Sequence, residues 1–110
     1  MTMELFAGIP VRDYTAAAAW YERLPGAPPS FLPNDTEAVR EPGSHRYLYI
    51  AGRPGHAMHT VFAGDFDARI PQIAERGLDP AQHETYANGV RKATFRDPDG
   101  NEIGFGGAPA

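Results

Sequence analysis

Alternation dominates the start of the chain. Leu5, Ala7, Ile9 and Val11 take every second position between Glu4 and Arg12, the spacing of a strand with one buried face. Phe6, Gly8 and Pro10 fall on the other face, and Pro10, lacking an N–H, belongs at an edge or strand end. The period then changes. Ala17, Trp20, Tyr21 and Leu24 are spaced i, i+3, i+4 and i+7, which predicts a helix capped by Asp13 or Thr15 and ended by Pro25-Gly26. Residues 27–41 are Pro-rich, with two short strands expected near 30–32 and 37–40. His45, Tyr47, Tyr49 and Ala51 alternate with Arg46, Leu48 and Ile50, predicting a strand covered on both faces.

After the loop Gly52-Arg53-Pro54-Gly55 the order begins again. A strand over 56–63 precedes a helix ending near Arg76, with Phe66, Ile70, Ile73 and Ala74 as its apolar stripe and Gly77 beyond its end. Pro71 is tolerable only near the first turn, so this helix is expected to begin no earlier than about Asp67. Strands follow over 82–86, 90–96 and 102–105, the last two joined by the turn Asp97-Pro98-Asp99-Gly100. At a constant offset of 52 residues Asp13 matches Asp65, Ala16 matches Ala68 and Pro28 matches Pro80, while Ile9/Val61 and Tyr14/Phe66 are similar. The expected fold is α+β: one domain over 1–110, built from two βαβββ modules of about 1–53 and 54–110.

Composition narrows the function. The 110 residues carry 12 Gly and 11 Pro, which the duplicated unit uses as punctuation. No cysteine is present, which excludes disulfides, thiolate chemistry and Cys-based metal sites. A net charge of −4 argues against nucleic acid, whose binders need a basic face. No run approaches the roughly 18 apolar residues of a membrane span, and no signal peptide is visible. One lysine among ten basic residues, with abundant Ala, reads as GC-rich coding bias and a bacterial, cytoplasmic protein.

Three stretches carry a family resemblance: Gly8-Ile9-Pro10-Val11-Arg12-Asp13 with Trp20-Tyr21-Glu22-Arg23; Phe62-Ala63-Gly64-Asp65-Phe66-Asp67-Ala68; and Thr94-Phe95-Arg96-Asp97-Pro98-Asp99-Gly100-Asn101-Glu102-Ile103. Together they resemble the vicinal oxygen chelate superfamily, which includes glyoxalase I, ring-cleaving dioxygenases and bleomycin-resistance proteins. The resemblance implies curved sheets forming a cup-like cleft, helices on the convex side, and a homodimer. It also implies a divalent metal held from the first, fifth and last strands. Those positions fall here on Phe6, Met58 and Gly104, none of which offers a charged or imidazole ligand.

The expected site is therefore an apolar, metal-free cleft for a small organic ligand, walled by Phe6, Tyr47, Tyr49, Met58, Thr60, Phe62 and Arg91. Each of these has a plainer reading, as sheet packing or, for Arg91, as a solvated rim charge. The alternative is a lyase, isomerase or dioxygenase using Ni, Mn, Zn or Fe, with His59 and Glu102, or His59 and His45, as a nonstandard ligand set. A third reading is an accessory subunit whose cup its own side chains fill. Trp20 reads as core, His83 as a surface residue or a general base, and Gly104, Gly106 and Gly107 as places where a backbone or ligand approaches the last strand.

Overall fold

The protein is described by a computed structural model covering residues 4–43 and 46–110; His45 lies outside the described residues. Strand β1 (Leu5–Val11) leads into helix α1 (Tyr14–Arg23), then β2 (Phe31–Asn34), β3 (Glu37–Gly43) and β4 (Arg46–Gly52). The same order repeats as β5 (Met58–Phe62), α2 (Phe66–Glu75), β6 (Gln82–Thr85), β7 (Arg91–Arg96) and β8 (Glu102–Gly107). Each set makes a four-stranded sheet of identical topology, β1-β4-β3-β2 and β5-β8-β7-β6. In both, the first strand pairs parallel with the last and the remaining pairs are antiparallel. The helical crossover between first and last strand is what permits that parallel pair.

Local chemistry explains the element ends. The Asp13 carboxylate accepts from the Ala16 N–H at 3.1 Å and caps α1, while Gly26 at φ +73° turns the chain after it. The second helix corrects its expected start: it begins at Phe66, which leaves Pro71 inside it as the sixth residue. Proline there removes only the bond to the Asp67 carbonyl, while Arg69 already closes the first turn onto the Asp65 carbonyl at 2.8 Å. Ala74, placed on the apolar stripe from the sequence, is exposed; Phe66 and Ile73 carry the burial.

Both helices cover one side of the sheets. Ile9, Val11, Ala38 and Ile50 of the first module and Ala93, Phe95, Ile103 and Phe105 of the second join Trp20, Tyr21, Phe66 and Ile73 in a shared core. Trp20 is buried in it, edge-on to Tyr21 at 4.8 Å. Polar contacts join the modules across this side. The Tyr21 hydroxyl donates to the Asp97 carboxylate at 2.9 Å, and Asn101 Nδ2 donates to the Pro10 carbonyl at 2.7 Å. Arg76 donates to the Arg23 and Leu24 carbonyls at the end of α1.

Candidate functional site

Side chains alternate across a strand, so the face opposite the helices is fixed by register. On the first sheet, Phe6 pairs with Tyr47 and Gly8 with Tyr49, so these four share the uncovered face. The Phe6 and Tyr47 rings stack nearly parallel, with centroids 4.2 Å apart and 7° between their planes. Tyr49 lies across Gly8 so closely that a Cβ there would sit 2.8 Å from its hydroxyl oxygen, which explains the glycine. Hydrogen bonding to Glu41 is the main cause that pushes the Tyr47 phenol up to about 12, so it stays a neutral hydroxyl at physiological pH.

The second sheet presents Met58, Thr60 and Phe62 on its uncovered face, beside Glu102, Gly104 and Gly106 of β8. Lys92 and Thr94 follow on β7. Met58 is 73% exposed, Phe62 65% and Phe6 47%, an unusual display for large apolar side chains in so small a protein. Six of the seven expected wall residues thus lie on uncovered sheet faces, three on each sheet.

The seventh does not. Arg91 pairs with Gly107 on the helix side of the second sheet, where its guanidinium lies 4.9 Å from the Phe66 ring centroid and pairs with Asp67. It also donates to the Ala108 carbonyl at 2.8 and 3.0 Å. With its donors so engaged, Arg91 fixes α2 to β7 and is removed from the expected walls. Lys92, with Arg96, lies on the uncovered face instead, its alkyl chain running over Gly104 next to Thr60. The alternation Arg91, Ala93, Phe95 held the signal, because Ala93 and Phe95 are the core-forming pair and carry Arg91 inward with them.

The expected metal set is also separated. His59 pairs with Ile103 and Met58 with Glu102, so His59 faces the helices and Glu102 the opposite side. His59 Nε2 lies 3.0 Å from the Gly8 carbonyl oxygen, an acceptor only, so that nitrogen carries the proton and donates. Glu102 accepts from Arg96 at 3.3 Å instead. Among the described residues no three His, Asp or Glu come together as a ligand group. Phe6, Met58 and Gly104, where the metal ligands of such a fold are expected, have no suitable donor, so the residues present do not fit a divalent metal.

The glycines of β8 are filled from within the chain. Lys92 lies over Gly104, Phe62 over Gly106 and Phe66 against Gly107, so side chains, not a foreign backbone, occupy the space. His83 is exposed and stacks on Phe66 with centroids 6.0 Å apart. Asp97 does more than shape its turn. Its buried carboxylate accepts from Tyr21 and from the N–H groups of Asp99 (2.9 Å) and Asn101 (2.8 Å), and from Asn101 Nδ2 (2.8 Å). Burial, and then the Asp97 charge, push the Tyr21 phenol well above its ordinary range.

Two βαβββ units with helices on one side and bare sheet faces on the other define the vicinal oxygen chelate fold. A glyoxalase/bleomycin resistance protein from Catenulispora acidiphila is 52% identical, over 98% of this chain and 100% of that one, with a TM-score of 0.94. The chain belongs to the glyoxalase/bleomycin resistance protein family of the vicinal oxygen chelate superfamily. A bleomycin-binding protein solved with bleomycin aligns at 21% identity and TM-score 0.77, over 97% of this chain and 99% of that one. A lactoylglutathione lyase from Agrobacterium tumefaciens aligns at 17% and 0.75, over 98% and 95%; these two likenesses concern the fold alone. No family model matches the chain, and no curated protein does.

Proposed function

We propose that this is a metal-free binding protein, bacterial and cytoplasmic, that sequesters a small planar organic ligand in an apolar cleft completed by a second copy of the chain. The observation that carries the reading is the bare face of each sheet, with Phe6, Met58 and Phe62 exposed and an aromatic stack already formed between Phe6 and Tyr47. Large apolar groups kept in water favour removal from it, by a ligand, a partner copy or both. The Phe6–Tyr47 platform suits a flat ring, and Thr60 and Lys92 supply the few polar groups that orient one. The bleomycin-binding relative gives a precedent for an organic ligand in this fold. A metal-dependent lyase, isomerase or dioxygenase would need ligands that Phe6, Met58 and Gly104 do not provide.

The test joins three measurements on protein purified without chelator: elemental analysis, mass by light scattering, and calorimetric titration with bleomycin and with neutral 2-naphthol. The expected result is no stoichiometric metal, a dimeric mass, and binding weakened at least tenfold in Met58→Asp and Phe62→Asp. Stoichiometric Ni, Mn, Zn or Fe overturns the metal-free reading. A monomer that binds neither probe overturns the cleft.

A further inference from the structure

A second concavity lies on the side of the sheets that carries the helices. Its volume is about 380 Å³, within the range of roughly 300–1,000 Å³ typical of small-molecule sites. Ile9, Leu48 and Ile50 of the first sheet and Val61, Ile103 and Phe105 of the second form its apolar walls. Tyr49 and Phe62 border it as well.

One charge among these walls lacks a partner. Arg40 enters from β3 on the same face as Leu48, its neighbour in register. Its Nε is buried with no hydrogen-bond acceptor, and no ion pair to Arg40 is found among the described residues. The acids bordering the cavity do not pair with Arg40. Asp65 holds Arg69 through two hydrogen bonds of 2.9 and 3.0 Å, and Glu41 makes no ion pair with Arg40. Burial pulls the Arg40 guanidinium below its ordinary range, with the Glu22 charge as the main opposing influence.

We propose that this cavity is a second binding site, specific for a small amphipathic carboxylate whose apolar body lies among Ile9, Leu48, Ile50, Val61 and Phe105 and whose anion pairs with Arg40. A half-buried guanidinium whose Nε is out of water and unbonded, with no carboxylate within ion-pair distance, is costly, and a forked set of donors matches a carboxylate in both charge and shape. The ligand relieves that cost while covering apolar walls contributed by both modules. This assignment does not rest on the cleft proposed for the bare faces, because Arg40 and Lys92 lie on opposite sides of their sheets.

The test is calorimetric titration of the intact protein with 2-naphthoate and octanoate, each beside its neutral amide. The acids are expected to bind at least about tenfold more tightly than the amides, the scale of one charge-assisted hydrogen bond. Arg40→Gln should erase that preference, Arg40→Lys should keep part of it, and Arg53→Gln, an exposed loop cation, should leave it unchanged. Leu48→Phe, which keeps the charge but fills the cavity, should weaken both acids and gives a second readout if Arg40→Gln fails to fold. Absence of binding by either acid, equal affinity for acid and amide, or survival of the preference in Arg40→Gln overturns the proposal.

Discussion

The two modules share a topology and divide the labour of joining. At their junction the N-terminal module contributes chiefly main-chain carbonyls: Gly8 to His59, Pro10 to Asn101, and Arg23 and Leu24 to Arg76. The C-terminal module contributes the side chains that reach them. Among the described residues only Tyr21 and Arg12 reach the other way, onto Asp97 and Asp99. The matched helix starts differ in the same manner. Asp13 caps α1 with its carboxylate, whereas Asp65, at the same place on α2, makes no side-chain cap and instead holds Arg69. A duplicated fold thus keeps its hydrophobic alternation while each copy's polar residues take separate tasks.

That asymmetry is most exposed to test at Asp97. Asp97→Ala removes the acceptor for four donors at once, two of them side chains (Tyr21 and Asn101), in a site that is 5% exposed. Buried hydrogen bonds to a charged group contribute about 1.5–3 kcal/mol each and are not additive, so a loss of roughly 3 kcal/mol or more in urea unfolding is expected. Tyr21→Phe, which removes only one donor, should cost about 1–3 kcal/mol. A loss below that of Tyr21→Phe would mean that the turn, not the joint, is what Asp97 serves.

A second contrast separates the bare faces. Gly8→Ala drives a methyl into the Tyr49 ring, which is stiff, whereas at Gly104 the methyl meets the far end of the flexible Lys92 chain at 2.6 Å. Overpacking of the first kind costs about 1–3 kcal/mol, and the second should cost well under that. Thermal unfolding of the two variants side by side gives the order. A larger loss from Gly104→Ala would reverse the assignment of rigid and adaptable halves.

The sequence carried the fold further than the site. Hydrophobic period and turn residues located most of the ten elements to within a few residues, because the core needs Ile9, Ile50, Phe95 and Ile103 whatever the ligand; the short strands of the Pro-rich stretch 27–41, one of them wholly exposed, carry little period. Six of the seven residues expected as walls also lie on the uncovered faces, as alternation predicts. Arg91 did not: the sign lay in Ala93 and Phe95, whose burial takes Arg91 to the core face, while its partner there, Asp67 on α2, is known only from the assembled fold. Arg40 left no signal either, since its lack of a partner is a property of the assembled sheets rather than of residues 37–43. His59 was legible as a histidine on a strand, but its hydrogen bond to Gly8 spans 51 positions and depends on how the modules meet.

The helix caps give a smaller effect. Asp13→Ala should destabilise by about 1 kcal/mol, the usual cost of losing a capping carboxylate, read as a lower urea midpoint with unchanged slope. Asp65→Ala loses an exposed i,i+4 ion pair rather than a cap and should fall measurably below it. Equal losses would show that Asp65 supports its helix N-terminus through the field of its charge despite making no cap bond.

The smallest effect belongs to the pair that removed Arg91 from the walls. Hydrogen bonding to Arg91 holds the Asp67 carboxyl below its usual value in the folded chain. A group whose pKa is lower when folded binds fewer protons in the native state than in the unfolded one, so its contribution is present above the unfolded carboxylate range and is lost as pH falls through the folded pKa. Asp67→Asn should therefore lower the melting temperature slightly at pH 7 and leave the difference from the parent vanishing in strong acid. Asp67 is largely in water, so 0.5 M salt should shrink the pH 7 difference as well. If the difference instead persists unchanged at low pH, the Asp67 charge is not what it measures, and Arg91 is held to α2 by Phe66 and the Ala108 carbonyl alone.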